Sequence, residues 1–155
     1  MKISVSQPYL TDHCKTHAIK AINEEQISGL AGSYIEKFEK EFAKYIGVKY
    51  AVSCTNGTAA LHLSLIAAGV KSGDDVLVAD LTNMATFFAV QYVGANPIPI
   101  DILLDTYTID PLKVEEKITP KTKAIIIVHL FGQPADISVI MPHLKARNIK
   151  IIEDC

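Results

Sequence analysis

From Tyr50 onward, apolar runs of strand length alternate with helix-forming segments across short joints, which confines the chain to a sheet of mainly parallel strands. The runs are Tyr50–Cys54, Val76–Ala79, Pro97–Ile100, Ala124–Val128 and Ile149–Ile152. Ala124–Val128 is apolar on both faces and predicts an interior strand. The prolines of Pro97–Ile100 predict a position near an edge. The intervening helices are expected at Thr58–Ala68, at Asn83–Val93 up to Gly94, after the Asp110 cap with Pro111 in its first turn, and at Ile137–Arg147 behind an Asp136 cap. Thr58–Ala68 is apolar nearly all round and predicts a helix covered on both sides. The fold class is therefore α/β, a three-layer α-β-α arrangement. In such a sheet, ligands bind beyond the C-terminal ends of the strands. Asn56, Gly57, Asp80, Thr82, His129, Glu153 and Asp154 all fall there.

Ahead of this pattern lies an arm broken at Pro8, a helical run from about Thr11 to Glu25, and a Gly-rich loop over Ile27–Gly32. Ser33-Tyr34-Ile35-Glu36 has the form of a capping box and predicts a helix start. Tyr34, Phe38, Phe42 and Tyr45 recur at helical spacing and predict a core-facing stripe that ends at Gly47. The charges from Glu36 to Lys44, Glu39 among them, predict a solvated face. The expected division is residues 1–32 as an N-terminal arm and helix, and residues 33–155 as one larger unit.

Composition narrows the function. The sequence has 155 residues, 49% of them hydrophobic, and a net charge of −2, which suits a globular domain and gives no footing for nucleic-acid binding. No stretch has the length of a membrane helix, and the opening residues lack the apolar core of a secretory signal. Cys14, Cys54 and Cys155 lack metal spacing and are odd in number, predicting free thiols and a cytoplasmic location. No metal site is expected: His13, His17 and His143 fall in helices away from the crevice, and His62 reads as structural.

The junction of run and helix at Thr55-Asn56-Gly57-Thr58 is the first chemical signal. A strand that turns into a helix over a glycine leaves unpaired N–H groups aimed at one point, which suits a phosphate. An ordinary capped turn uses the same residues, and neither GxGxxG nor a triphosphate loop is spelled out. Asp154 admits two readings as well, a functional carboxylate or the end of a strand. Glu153 and Asp154 point to opposite faces of one strand, so only one enters the crevice; Asp154 is assigned inward and Glu153 to backbone or helix contacts. His129 reads best as a hydrogen-bonded residue that orders the His-Leu-Phe-Gly-Gln-Pro turn.

Several segments together, Asn56-Gly57-Thr58-Ala59-Ala60-Leu61-His62-Leu63, Thr82, Ala85-Thr86, Lys121-Thr122-Lys123, His129 through Asp136 and Glu153-Asp154-Cys155, resemble the sugar aminotransferases of the DegT/DnrJ/EryC1/StrS family. The resemblance runs in the family's order over nearly the whole chain. It implies a pyridoxal 5'-phosphate enzyme of the aspartate-aminotransferase fold (fold type I), with this chain as the N-terminal portion of its large domain and the C-terminal part of the family domain absent. It also implies transfer of an amino group from glutamate to a nucleotide-linked keto sugar, in amino sugar and polysaccharide biosynthesis, by a homodimer. Within that resemblance Gly57, Thr58 and Ala59 correspond to the residues that hold the cofactor phosphate, and Asp154 to the carboxylate that pairs with the pyridine nitrogen. Two departures stand out. Asn83 occupies the place of an aromatic that stacks on the cofactor ring. The family's Schiff-base lysine has no counterpart in these residues, so the chain alone is expected to be inactive. A sugar dehydratase of the same family and a non-catalytic α/β binding module are the alternative readings.

Overall fold

The computed structural model describes residues 4, 7–29 and 32–155. The Gly-rich loop expected over 27–32 includes Leu30 and Ala31, and the arm includes residues 1–3, 5 and 6, all outside the described residues. The chain divides into two compact units, Met1–Ser53 and Cys54–Cys155.

The first unit holds α1 (Asp12–Asn23) and α2 (Tyr34–Ile46). Thr11 caps α1, its hydroxyl accepting from Cys14 N–H at 3.2 Å. Helix α2 starts where the Ser33–Glu36 pattern predicts, but no capping box forms. Ser33 already has helical angles (φ −89°, ψ −7°), and both its N–H and its hydroxyl donate to the Gln26 side-chain oxygen, at 3.2 and 2.9 Å. Gly47 closes the helix with φ +80°, a conformation open to glycine at little cost. The aromatic stripe is not core: Phe38 and Phe42 stack at 5.5 Å yet remain 53% and 44% exposed, and Tyr45 is 85% exposed. Helical spacing reveals which face is apolar, whereas burial also requires an apolar surface to cover it.

Tyr50–Cys54, expected as the first strand, is not a strand. A strand exists only beside a partner that takes its N–H and C=O groups. Here the Ser53 N–H and hydroxyl instead donate to Glu39 Oε1, at 2.8 and 3.0 Å. Glu39 is accordingly half-buried rather than part of a fully solvated face.

The second unit contains α3 (Gly57–Ala67), β1 (Asp75–Ala79), α4 (Met84–Tyr92), β2 (Asn96–Ile100), α5 (Pro111–Lys117), β3 (Thr122–Val128), α6 (Met141–Ala146) and β4 (Lys150–Asp154). The four strands form a parallel sheet in the order β2-β1-β3-β4, so β3 is interior and the proline-containing β2 is an edge. Alternation along the strands sorts the core into two layers. Ile126 lies between Val78 and Ile152 and faces the layer of Leu61 and Leu65 from α3 and Ala89 and Val90 from α4. Ile125 lies between Leu77 and Ile151 and faces Val114 of α5 and Leu144 of α6. Each fully buried branched side chain contributes roughly 1.5–3 kcal/mol by leaving water. Helix α3 packs against β4 and α4 but is not covered all round, since Leu63 and Ile66 are exposed.

Helix α6 is shorter than the expected Ile137–Arg147. Pro142 lacks an N–H and fits only the first turn of a helix, so α6 begins at Met141. Asp136 therefore caps no helix. Its Oδ1 accepts from Ser138 N–H at 2.9 Å in a local turn, and the Ser138 side chain first and this N–H second hold its carboxyl below the ordinary aspartate value.

Candidate functional site

The C-terminal end of β4 separates its two acids as the pleat requires. Asp154 shares a face with Ile152, toward α3 and α4, and is half-buried; Glu153 shares the opposite face with Ile151. Asp154 Oδ2 accepts from the Thr86 hydroxyl at 3.2 Å, and Thr86 Oγ1 lies 3.0 Å from Thr82 Oγ1. Thr82 lies just before the Asn83 N-cap of α4 and Thr86 in its first turn, after the joint that leads from β1. On the other face, Ala135 N–H donates to His129 Nδ1 at 3.1 Å, so the ring proton sits on Nε2. Nε2 faces Glu153 Oε1 at 3.3 Å. His129 thus orders its turn, and Glu153 meets a histidine side chain rather than backbone or helix.

The second cluster is the first turn of α3. Asn56 is extended (φ −166°, ψ 170°), and its Oδ1 accepts from Ala59 N–H at 2.9 Å. That bond occupies the Ala59 amide. The amides of Gly57 and Thr58 have no partner among the described residues. Gly57 has no positive φ, and a Cβ built on it meets nothing within 4 Å among the described residues, so neither strain nor crowding by them demands glycine there. Close approach of a ligand would. Asn56, Thr58 and Ala59 line an open cavity of about 410 Å³ with His62 and Tyr92, whose rings meet edge-on at 5.7 Å. These features fit a phosphate held against the helix by backbone N–H groups.

Asn83 sits at the start of α4 as its N-cap, with Oδ1 accepting from Ala85 N–H at 2.9 Å. One side of its amide is therefore committed to the helix. The structure brings Asp154 together with Thr86 and Thr82, and gathers Gly57, Thr58 and Ala59 on one turn; no hydrogen bond among the described residues joins the two groups. The sequence placed Thr82 at the crevice but named neither Thr82 nor Thr86 as a partner of Asp154. Their signal was a pair of threonines four residues apart across a helix start, one of them inside an otherwise apolar helix. No group of histidine, cysteine and acidic residues among the described residues forms a metal site, and none of their helices is long and apolar enough to cross a membrane.

A parallel sheet flanked by helices, with two amides at the start of α3 unpaired among the described residues and an inward carboxylate at the end of β4, defines an α/β protein. The chain belongs to the DegT/DnrJ/EryC1/StrS aminotransferase family, which it matches over residues 10–155. It is 44% identical over 153 residues to the GDP-perosamine synthase of Escherichia coli O157:H7, covering 99% of this chain and 42% of that protein. The fold is similar to the aminotransferase of Psychrobacter cryohalolentis, with a TM-score of 0.90 and 34% identity over 96% of this chain and 38% of that one. It is also similar to NtdA of Bacillus subtilis with bound cofactor PMP, with a TM-score of 0.84 and 35% identity over 90% of this chain and 32% of that one. The chain thus spans about two fifths of the length of such relatives.

Proposed function

We propose that this chain forms part of the pyridoxal 5'-phosphate site of an enzyme that transfers an amino group from glutamate to a nucleotide-linked keto sugar, acting as a homodimer in the cytoplasm. The observation that carries the reading is the carboxylate of Asp154, turned to the α3 and α4 face with Oδ2 bonded to Thr86 and Oδ1 without a partner among the described residues. Family membership and the PMP-bound neighbour support the cofactor. A relative that makes GDP-perosamine supports the substrate class.

When bound, the cofactor supplies an electron sink for the carbon from which a proton is removed. The chain's own residues are assigned as follows. Gly57 and Thr58 donate their backbone N–H groups to the phosphate, with the Thr58 hydroxyl beside them, and Ala59 supplies the adjoining wall of the cavity. Asp154 Oδ1 accepts from the protonated pyridine nitrogen and holds that proton in place, which a neutral partner does far less well. Asn83, with Oδ1 committed to capping, presents its NH₂ group to the ring edge where an aromatic would stack.

Absorbance titration of the chain with pyridoxal 5'-phosphate, and with pyridoxal lacking the phosphate, tests the assignment. The phosphorylated compound is expected to bind more tightly, and Thr58→Val to reduce that advantage by about 1–3 kcal/mol. Asp154→Asn is expected to retain most of the phosphate-dependent affinity while the bound ring loses its nitrogen proton. Equal binding of the two compounds would remove the phosphate from α3.

A further inference from the structure

Thr86 is wholly buried, at 0% exposure, on the α4 face whose Ala89 and Val90 belong to an apolar core layer. Valine has nearly the same shape, so packing alone does not account for the hydroxyl. Its partners do. Thr86 Oγ1 lies 3.2 Å from Asp154 Oδ2 and 3.0 Å from Thr82 Oγ1. A hydroxyl has one proton to donate, and an ionised carboxylate only accepts. Thr86 therefore donates to Asp154 and accepts from Thr82, which sets the direction of the chain as Thr82 to Thr86 to Asp154.

We propose that Thr86 is a positioning residue for Asp154, and that Thr82 strengthens its hold by polarising the Thr86 hydroxyl. The pair anchors Oδ2 and turns Oδ1, which has no hydrogen bond with the described residues, toward the ring nitrogen of the cofactor. Thr86 lies on α4, whose main sheet contacts are with β1 and β2, so the anchor ties the end of β4 to that helix. A bond to a charged acceptor, buried on the donor side, orients the carboxylate. The inference rests on the assignment of Asp154 to the ring nitrogen made above.

Two measurements test it, one without cofactor. In the unloaded chain, the carboxyl carbon of Asp154 is expected to show a solvent deuterium isotope shift from the Thr86 hydroxyl, kept in Thr86→Ser, reduced in Thr82→Val and lost in Thr86→Val. Persistence in Thr86→Val would overturn the anchor. With pyridoxal 5'-phosphate labelled with ¹⁵N in the ring, Thr86→Val is expected to move the nitrogen resonance toward its unprotonated position and to lower affinity about tenfold, with Thr86→Ser restoring both. Thr82→Val, at a partly exposed position, carries the same test with a smaller shift should Thr86→Val fail to fold. Asp154→Asn separates the two ideas. A resonance unmoved by Asp154→Asn removes the carboxylate from the ring nitrogen; one moved by Asp154→Asn but unmoved by Thr86→Val and Thr82→Val removes the positioning role. A chain that takes up no cofactor overturns the cofactor reading, and the isotope shift then still decides the anchor.

Discussion

Asn56 Oδ1 lies 2.9 Å from the amide nitrogen of Ala59, so the first turn of α3 closes one of its own donors and leaves those of Gly57 and Thr58 facing outward. Capping and ligand binding are thus divided among neighbouring residues. Asn56→Ala should destabilise the folded chain by about 1 kcal/mol through loss of the cap. Gly57→Ala should leave stability nearly unchanged, because the added methyl meets no atom of the described residues, yet weaken binding of pyridoxal 5'-phosphate. Urea unfolding and cofactor titration of both variants check this pair. A cofactor affinity unaffected by Gly57→Ala would show that the ligand does not approach this backbone.

Asn83 has two duties that one substitution separates. Asn83→Phe removes the bond to Ala85 N–H, so stability should fall by about 1 kcal/mol. The added ring should meanwhile tighten cofactor binding by roughly 0.5–1.5 kcal/mol if it stacks as an aromatic pair does. The expected outcome is a lower melting temperature without ligand and a larger rise on adding cofactor. A variant that is less stable and binds no better would place the cofactor ring elsewhere.

The two bonds of His129 differ in depth. Ala135 is buried, so His129→Ala leaves its N–H without the ring acceptor and should cost about 1–3 kcal/mol. Glu153 is exposed, and Glu153→Gln should change stability by less than about 1 kcal/mol. Thermal melts of the single and double variants measure both. Equal losses from the two singles would mean that Glu153 holds the turn as firmly as the amide does.

Glu115 joins α5 to α6. Its carboxylate accepts from His143 Nδ1 at 2.7 Å and Arg147 at 3.4 Å, and its carboxyl is held below the ordinary 4.5, first by the His143 bond and then by the two positive charges. A folded-state value below the unfolded one means that the stabilisation is fully present above the ordinary glutamate range and is lost as pH falls through the folded value. Melting temperatures between about pH 6 and about pH 3 should fall less steeply for Glu115→Gln than for the parent chain. Parallel curves would show that the contact is spent on ordering exposed side chains.

The strands at β1 to β4 were legible because short apolar runs flanked by turn residues have few alternatives to a buried strand. Pro97 and Pro99 announced the edge, and the pleat required Glu153 and Asp154 to point to opposite faces. Tyr50–Cys54 misled for the same reason. A run of strand-forming residues specifies what the segment favours, but not whether another strand stands beside it.

By itself, the sequence determined the α/β class, the mainly parallel sheet of alternating strands and helices, and that Glu153 and Asp154 point to opposite faces, because each depends on local period and chain polarity. Only the tertiary structure decided that Glu39 holds Ser53, that α2 leaves its aromatics exposed, and that Thr82 and Thr86 stand behind Asp154. Those contacts join residues as far apart as Thr86 and Asp154, and a hydroxyl's partner depends on which distant acceptor the folded sheet brings within reach. Periodicity carries which side of an element is apolar; the partner that meets that side is set by packing in three dimensions.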